Sequence, residues 1–383
     1  MQLGKKKIIS WLVPVFISVL VIFSGAKSIL AQHEASKSEE EKLTIVAATA
    51  QNQVTEEINH ATDAHGEEKV DAGKLIMEHI TDAYDWHIAT IGHKHISIPL
   101  PVIIKDDNGI HVFLSSKFEH GHASYKGYKL EHNKIVAENG NDFLDLSMTK
   151  NVTAMLIAVL TLLFIMLSVA KSYKNNGNKA PKGLQAFIEP LIIFLRDEVA
   201  KPSIGPKYQK FLPFLLTIFF FIFINNLFGL VPFFPGGANV TGNIAVTMVL
   251  AIFTFVITSI NGNKSYWGHI FLPPGVPKVL WILLIPIEII GMFNKPIVLM
   301  IRLFANITAG HIIILGFFSL IFIFGAVNAS LGLGVSVLSV AFTVFMSMLE
   351  LLVAFLQAYV FTLLSALYFG SAVEEHHHAE EHH

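Results

Sequence analysis

The chain has 383 residues, of which 53% are hydrophobic and 15% are charged, whereas soluble domains carry about 25% charged residues. With a mean hydropathy of +0.56, this composition predicts a protein that crosses a membrane several times. A net charge of −2 argues against nucleic-acid binding, the absence of cysteine excludes disulfides and thiolate chemistry, and without a phosphate-binding P-loop no nucleotide or other cofactor is expected.

Residues 1–31 have the pattern of a signal peptide, with three consecutive lysines, an apolar run from Ile8 to Phe23 and small residues leading to Ala31. An uncleaved first transmembrane helix is the alternative. In both cases the residues that follow are expected on the far side of the membrane. Residues 32–72 are polar and acidic with few aromatic side chains, a composition that predicts a flexible linker.

A small exported α+β domain is predicted at residues 73–147. Its first segment, 73–91, has apolar and histidine residues at helical spacing, which predicts a helix. Alternating apolar residues and turn signals then predict β-structure, with strands at 95–104 and 110–118, a turn at 106–109 between them and a hairpin over 126–137.

Histidines are concentrated in the exported region 32–147, which holds 11 of the 18 in the chain. The spacings His93/His95 and His120/His122 would suit a transition metal. No acidic partner is placed beside them by a recognisable pattern, and the alternative is surface histidines that buffer protons. No metal site is therefore predicted. The tail at 372–383, rich in His and Glu, predicts a disordered terminus.

The membrane domain is predicted at 148–371 and is all-α and polytopic. Three of its apolar segments have the length of a transmembrane helix, at 152–170, 211–231 and 243–260. The stretch between the first two is basic and broken by prolines. Within it, 184–200 predicts an amphipathic helix on the membrane surface.

The last third of the chain predicts a long, tilted helical hairpin. Its segments 296–326 and 333–369 exceed an upright span, because a helix of about 30 residues is ~45 Å long and the hydrocarbon core is ~30 Å thick. Segment 279–293 is apolar but short and contains Pro286 and Glu288, so we interpret it as a tilted, partial helix. The sequence thus predicts about five transmembrane helices plus one partial helix.

Loop charges predict the orientation of these helices. If 279–293 does not cross fully, all 11 lysine and arginine residues between the spans fall on one side, which the positive-inside rule assigns to the cytoplasm. We therefore expect the exported domain outside, the C-terminus in the cytoplasm, and the protein in the cell (inner) membrane.

Arg302 is the residue that an apolar helix accommodates least. It is the only lysine or arginine from residue 296 to the end of the chain. A central arginine costs about 2.5–3.5 kcal/mol on insertion scales and keeps its charge, so something anionic or aqueous must compensate it. The alternative is an arginine that snorkels from a helix end, six residues after Pro296.

Other polar residues accompany Arg302 on the hairpin. Asn306 follows it by four residues and shares its face, while Glu350 and Gln357 share a face of the last helix. If the two helices turn back at the uncharged segment between them, residue n lies opposite about 660 − n. Arg302 then meets Gln357, and His311 meets Glu350 about 13 Å further along the axis.

The pair of His311 and Glu350 predicts a proton relay, because both groups can load and release protons near neutral pH when their environment shifts them. A helix–helix hydrogen bond without a transport role is the alternative. Glu288 is either a further channel carboxylate on the inner side or a charge at headgroup level.

Several motifs of the membrane half occur together: Lys295-Pro296, the run from Ile301 through Arg302 and Asn306 to His311, Glu350 with the run from Leu356 to Phe361, and the run from Phe211 to Pro232 with Asn225-Asn226. With them, residues 140–375 resemble subunit a of the F-type ATP synthase, the static part of a membrane rotary motor. The arginine with an asparagine four residues later, and the glutamine on the last helix, are the most specific features.

This resemblance implies a rotor–stator mechanism. Arg302 would face a ring of small rotor subunits, each with a mid-membrane carboxylate, and would favour the charged carboxylate while barring direct proton flow between two offset half-channels. His311 and Glu350 would line the external half-channel, and Glu288 would serve the cytoplasmic one. Some members of the family have acid and imidazole exchanged at the first two positions, which preserves the chemistry of the pair.

The resemblance also implies a non-catalytic subunit whose partners are the ring, a peripheral stalk subunit, the remaining ATP synthase subunits and the lipid bilayer. The predicted exported region of this chain, 32–147, is long for a subunit of this family. Two alternatives are a self-contained ion channel or secondary transporter, a class that often shows internal repeats not seen here, and a membrane sensor built on the His-rich domain. A sensor would lose function without residues 32–147 and tolerate Arg302→Ala.

Overall fold

The computed structural model describes residues 81–91, 94–131, 133–176, 180–231, 236–271, 277 and 280–374. These residues fall into two units, each treated by itself: the strand unit is 81–150 with 309–349, and the helix unit is Asn151–Thr308 with 350–374. The predicted signal peptide, the linker, the first part of the helix predicted from residue 73 and the tail beyond 374 lie outside the described residues.

The N-terminal part of the strand unit is built from short antiparallel strands. They are β1 (Asp85–Ile91), β2 (Lys94–Pro99), β3 (Pro101–Asp106), β4 (Gly109–Leu114), β5 (Tyr128–Glu131), β6 (Lys134–Ala137) and β7 (Leu144–Asp145), with a 3-10 helix at Ser115–Gly121. β1 pairs with β2, β5 pairs with β6, and β3 lies between β4 and β7. The strand-containing part of the predicted exported region is thereby confirmed.

Alternation along β3 creates the core of these strands. Val102 and Ile104 are fully buried on one face. Phe113, the ladder partner of Val102, meets Phe118 edge-on with 5.4 Å between ring centroids. Burying each such side chain stabilises the fold by roughly 1.5–3 kcal/mol. The buried cluster consists of Tyr84, Val102, Ile104, Phe118, Tyr128 and Ile135.

Both predicted turns are present. The N–H of Asn108 donates to Oδ1 of Asp106 at 2.8 Å, and Gly109 has a φ of 128°, a conformation that glycine adopts without steric cost. The predicted hairpin over 126–137 forms as β5 and β6, with Asn133 at a φ of 58° in its turn.

The helix predicted over 73–91 is wrong for residues 85–91, which form β1. Trp86 lies opposite Ile98 in the ladder with β2 and is buried. The segment contains three β-branched residues, which favour a strand. Pairing with β2 therefore outweighs the short stretch of helical spacing.

Two predicted strands differ in their bounds. The strand predicted at 95–104 is divided at Leu100, whose N–H donates to the hydroxyl of Ser115 at 3.1 Å instead of to a neighbouring strand. The strand predicted at 110–118 ends at Leu114, because the 3-10 helix begins at the next residue.

Helices form the rest of the described chain. They are α1 (Lys150–Asn176), α2 (Leu184–Phe194), α3 (Lys201–Ile204), α4 (Tyr208–Leu230), α5 (Ile244–Asn261), α6 (Lys264–Phe271), α7 (Trp281–Val327) and α8 (Ala329–Val373). Five segments are long and apolar enough to cross a membrane: α1, the run from α2 to α4, α5, α7 and α8. The predicted set of five long apolar helices is confirmed.

The partial helix predicted at 279–293 is not a separate element, because α7 runs for 47 residues from Trp281 to Val327. Pro286 and Pro296 lie inside it. Each proline removes one backbone hydrogen bond, but in an apolar surrounding no water competes for the remaining ones, so the helix continues through both positions.

The predicted hairpin forms with Asn328 between its two helices. In the strand unit, Phe317 stacks on Phe342 with 5.1 Å between ring centroids, one residue from the partner that the 660 − n register gives. A Cβ added to Gly332 would lie 2.6 Å from the Cα of Gly325. The two backbones therefore touch close to the turn, where only glycine fits.

The surface of the strand region carries a carboxylate whose titration we expect to affect folding. Asp106 accepts from the Tyr128 hydroxyl at 2.7 Å and lies 3.2 Å from Nε2 of His111. The Tyr128 hydrogen bond is the main reason that the pKa of Asp106 lies below its ordinary value. A depressed folded pKa stabilises the fold above the unfolded pKa of about 3.9, and this stabilisation is lost as pH falls through the folded pKa.

We predict that hydrogen exchange in β4 and β5 of the full-length protein, corrected for the intrinsic rate, accelerates as pH falls below about 4. An Asp106→Asn variant should exchange faster than the native chain at neutral pH and should lack this acid-dependent step. An identical acid dependence in the native chain and the variant would show that Asp106 is not the group responsible.

Candidate functional site

Arg302 lies near the middle of α7, and its side chain is exposed on the helix unit, as is that of Asn306 one turn later. Leu299 and Leu303 lie beside them on the same turns and are each 1% exposed. The leucines therefore hold α7 against the helix unit, while the arginine and the asparagine face outward together.

Glu350 and Gln357 lie on one face of α8, and both are buried. Between and beside them, Ala354 and Ala358 are 1% and 0% exposed. Small residues of this kind allow neighbouring helices to approach closely. An ionisable group such as Glu350 inside a membrane helix is expensive to bury, which makes it a functional candidate.

Tyr368 connects α7 to α8 in the helix unit. The ammonium of Lys295 lies 5.4 Å from the centroid of the Tyr368 ring, and Tyr368 is also within electrostatic reach of Arg302. The 660 − n register would place residue 365 opposite Lys295, so the contact corresponds to a shift of three residues. With that shift Arg302 still lies within about one turn of the level of Gln357.

His311 belongs to the strand unit, where it lies within electrostatic reach of Lys150. Lys150 is the first residue of α1 and is 7% exposed. Its ammonium is close to the carboxylates of Asp82 and Asp85. A charged cluster at the start of α1 thus accompanies the histidine. The sequence does not reveal this cluster, because Asp82 and Asp85 lie in a segment whose spacing predicts a helix.

Glu288 lines a cavity of about 320 Å³ in the helix unit. The walls come from α6, from the N-terminal part of α7 and from the end of α8. Four other titratable side chains line the same cavity: Tyr266, His269, Lys295 and Glu374. Sequence reasoning identified only Glu288, because these residues are remote in the chain and meet only when the three helices pack.

Asn263 fixes the wall of this cavity. Its backbone N–H donates to the carbonyl of Ala372 at 2.9 Å, and its side-chain Nδ2 donates to the backbone carbonyl of Glu374 at 2.6 Å. Its Oδ1 accepts from the N–H of Tyr266 at 2.8 Å, as a capping residue does at the start of a helix. Asn263 therefore ties the beginning of α6 to the end of α8.

A buried polar bridge positions the segment of α8 that carries Glu350 and Gln357. Nδ2 of Asn226 donates to the carbonyl of Ala354 at 3.2 Å, and Oδ1 of Asn226 accepts from the Thr241 hydroxyl at 2.6 Å. Asn226 lies in the motif from Phe211 to Pro232, but its spacing alone predicts no role for it. The feature that could have revealed this role is the pair Asn225-Asn226 inside an apolar segment, where a polar side chain needs a hydrogen-bond partner.

The helix unit thus contains five of the six predicted site residues: Glu288, Arg302, Asn306, Glu350 and Gln357. His311 belongs to the strand unit, and its pairing with Glu350 stays a prediction. For the metal alternative, the described residues contain no group of three or more His, Cys, Asp or Glu arranged to hold an ion. His93 lies outside the described residues.

Comparison with known proteins gives two matches along the chain. Residues 152–370 match the family described as ATP synthase A chain, and residues 75–154 match a domain of unknown function (DUF8433). The second match covers the described strands and reaches the first turns of α1.

The similar proteins include relatives named ATP synthase subunit a. The one from Chlorobium phaeobacteroides (strain DSM 266) is 37% identical over 383 residues, which cover 98% of this chain and 95% of the relative. The one from Chloroherpeton thalassium is 48% identical over 243 residues, which cover 62% of this chain and 70% of the relative. The N-terminal region therefore has a counterpart in the first of these relatives.

We predict that Asn226→Leu destabilises the protein by about 1–3 kcal/mol, because it leaves buried polar groups without their partner. The matched control is Asn225→Leu. Asn225 is also buried, but it donates only to the carbonyl of Phe221 in its own helix. Thermal unfolding of the purified membrane complex should show a clear loss for Asn226→Leu and a smaller one for Asn225→Leu. Equal losses would contradict the bridging role.

Proposed function

Because this chain belongs to the ATP synthase subunit a family, the non-catalytic proton-channel subunits of the stator, we propose that Arg302 is the charge that faces the rotor ring. The observation that carries the proposal is the outward face of α7, on which Arg302 and Asn306 are exposed while Leu299 and Leu303 are buried. An exposed, permanently charged group in an apolar helix must be compensated by an anionic partner or by water.

A ring of small subunits, each with a carboxylate at mid-membrane depth, supplies that partner. Attraction to Arg302 favours the ionised carboxylate, so each arriving carboxyl group gives up its proton before it reaches the arginine. After it passes, it takes a proton from the opposite side. The fixed positive charge also repels protons, which prevents a direct leak past the ring. Each translocated proton must therefore travel with the ring.

We assign His311 and Glu350 to the external half-channel. Both are ionisable groups within apolar helices, where polar residues mark ion pathways. The contact between Phe317 and Phe342 supports a hairpin register in which His311 and Glu350 share a level. Their side chains would pass protons between the external water and the ring.

We assign Glu288 and its cavity to the cytoplasmic half-channel. On the continuous helix α7, Glu288 precedes Arg302 by 14 residues, or ~21 Å, and His311 follows Arg302 by nine, or ~13 Å. The two proposed half-channels therefore lie on opposite sides of the arginine in the sequence of one helix. This arrangement supports an offset pathway that the ring must complete.

The partners and orientation follow from the same proposal. The ring, a peripheral stalk subunit and the remaining ATP synthase subunits surround this chain in the cell (inner) membrane. The strand-containing domain lies outside, and the C-terminus lies in the cytoplasm. The support is the concentration of lysines between α1 and α4 and around α6, which the positive-inside rule assigns to the cytoplasm.

The test compares ATP-driven proton pumping by inverted membrane vesicles that contain the native chain or Arg302→Ala. We expect the variant to assemble and to lose coupled pumping. Arg196→Ala is the control, because Arg196 is the only other arginine and pairs with its neighbour Asp197 at 2.5 Å. Unchanged pumping by Arg302→Ala would refute the proposal.

The proposed pairing of His311 and Glu350 predicts a specific rescue. Each single variant, His311→Glu or Glu350→His, should lower the pumping rate, because it leaves two like groups at one level. The double variant restores one acid and one imidazole and should pump faster than either single variant. A double variant that pumps no faster than the worse single variant would mean that the two residues act separately.

A further inference from the structure

We propose that His269 and Glu374 act with Glu288 as the proton-exchange cluster at the cytoplasmic mouth of the inner half-channel. The proposal rests on the function proposed above and assigns the residues at the solvent end of that path. Within it, Glu288 is the group nearer to Arg302 along the path, and His269 and Glu374 are the groups that exchange protons with the cytoplasm.

Three helices, α6, α7 and α8, converge on one cavity. His269 lies in the last turn of α6, Glu288 in the second turn of α7, and Glu374 directly after the end of α8. All three line the same cavity of about 320 Å³. A single water molecule needs about 10–15 Å³ of such space. The cavity therefore has room for a hydrogen-bonded water cluster in contact with all three groups.

A smaller cavity adjoins the first and shares part of its wall. Its volume is about 10 Å³, which is close to the space that one water requires. The two cavities share Tyr266, Met292 and Lys295 in their walls. The smaller one also reaches Leu299 and Tyr368. It thereby leads from the Glu288 cavity to the helical turn that precedes Arg302.

Hydroxyl groups line the smaller cavity. Thr254 and Thr258 both border the smaller cavity and are buried. The Thr258 hydroxyl donates to the carbonyl of Thr254 at 2.7 Å, and the Thr254 hydroxyl lies 3.4 Å from that of Ser365. A hydroxyl that donates to the backbone keeps its oxygen lone pairs available to accept from a water molecule. Water at this position would have polar partners on α5.

The charges around the larger cavity suit proton exchange better than anion binding. Two carboxylates and an imidazole face it, and the one ammonium in its wall, that of Lys295, also lies against the Tyr368 ring. Histidine ordinarily titrates near pH 6.5, so it can both take and release a proton in the cytoplasm. Tyr266 completes the set of titratable groups that border the cavity.

The proton balance of each step is simple. During ATP-driven pumping, a proton from cytoplasmic water binds His269 or Glu374, passes through cavity water to Glu288, and then protonates the ring carboxylate that is leaving Arg302. During synthesis the same proton moves in reverse. No electron transfer and no other reactant takes part.

The test measures ATP-driven pumping in inverted vesicles, whose outer medium contacts the proposed cytoplasmic mouth. For the double variant His269→Gln, Glu374→Gln we expect a loss of about tenfold near pH 8.5 and of less than about twofold near pH 6.5. A lone acid–base group typically contributes ~10²-fold or more to proton transfer, and the loss is smaller here because Glu288 and water remain. Protons are scarce at the higher pH, so the collecting groups matter most there.

Two further variants separate proton exchange from packing. His269→Glu with Glu374→Asp keeps an acid–base group at each place and should recover most of the lost rate at high pH. His122→Gln with Glu138→Gln changes the same residue types at exposed positions of the strand region and should leave the pH profile unchanged. Failure of the first variant to recover any rate would overturn the proposal.

Assembly does not limit this test. Rates are normalised to the amount of assembled complex. If the double variant fails to assemble, Glu374→Gln is used alone, because the hydrogen bond that holds Glu374 to Asn263 uses its backbone carbonyl. A native pH profile for that variant would overturn the role of Glu374.

The two proposals fail in different ways. If Arg302→Ala keeps full pumping, the ring-facing role of the arginine is refuted, whatever the His269 and Glu374 variants do. If Arg302→Ala abolishes pumping while the double glutamine variant matches the native chain at both pH values, the proton-exchange cluster alone is refuted.

Discussion

A guanidinium that cannot lose its charge must be compensated wherever it lies in a membrane, and this constraint organises the helix unit. Leu299 and Leu303 are buried and leave Arg302 and Asn306 on the outward face of α7. From residue 296 onward, Arg302 is the only lysine or arginine of the sequence. In the function proposed above, a carboxylate of the rotor ring compensates this charge.

Other polar groups of the helix unit differ in what surrounds them, protein partners in one case and a cavity in the other. Asn226 bridges Ala354 and Thr241 and uses both ends of its amide to do so, as buried polar groups require. Glu288, by contrast, faces a cavity large enough for water. A buried polar residue thus holds helices together where protein groups supply its hydrogen bonds. Where it faces a cavity, as Glu288 does, water can supply them.

The sequence was sufficient to predict an element where the signal for that element is local. Runs of apolar residues located the long helices, the uncharged segment at Asn328 located the hairpin turn, and the glycine after Asn108 located a β-turn. It failed where the outcome depends on distant partners. β1 is a strand because β2 pairs with it, and His269 lines a cavity because α6 packs against α7 and α8. α7 continues through Pro286 and Pro296, whose breaking tendency is measured in water and not in an apolar surrounding.

The most direct test of the account asks which face of α7 meets the rotor. The chain contains no cysteine, so one cysteine can be introduced at a time and paired with a cysteine placed beside the rotor carboxylate. Asn306→Cys, on the face of Arg302, is predicted to form a disulfide with the rotor in assembled membranes, whereas Ile307→Cys, about 100° further around the helix, is predicted not to. Efficient cross-linking at 307 with none at 306 would contradict an Arg302 that faces the ring.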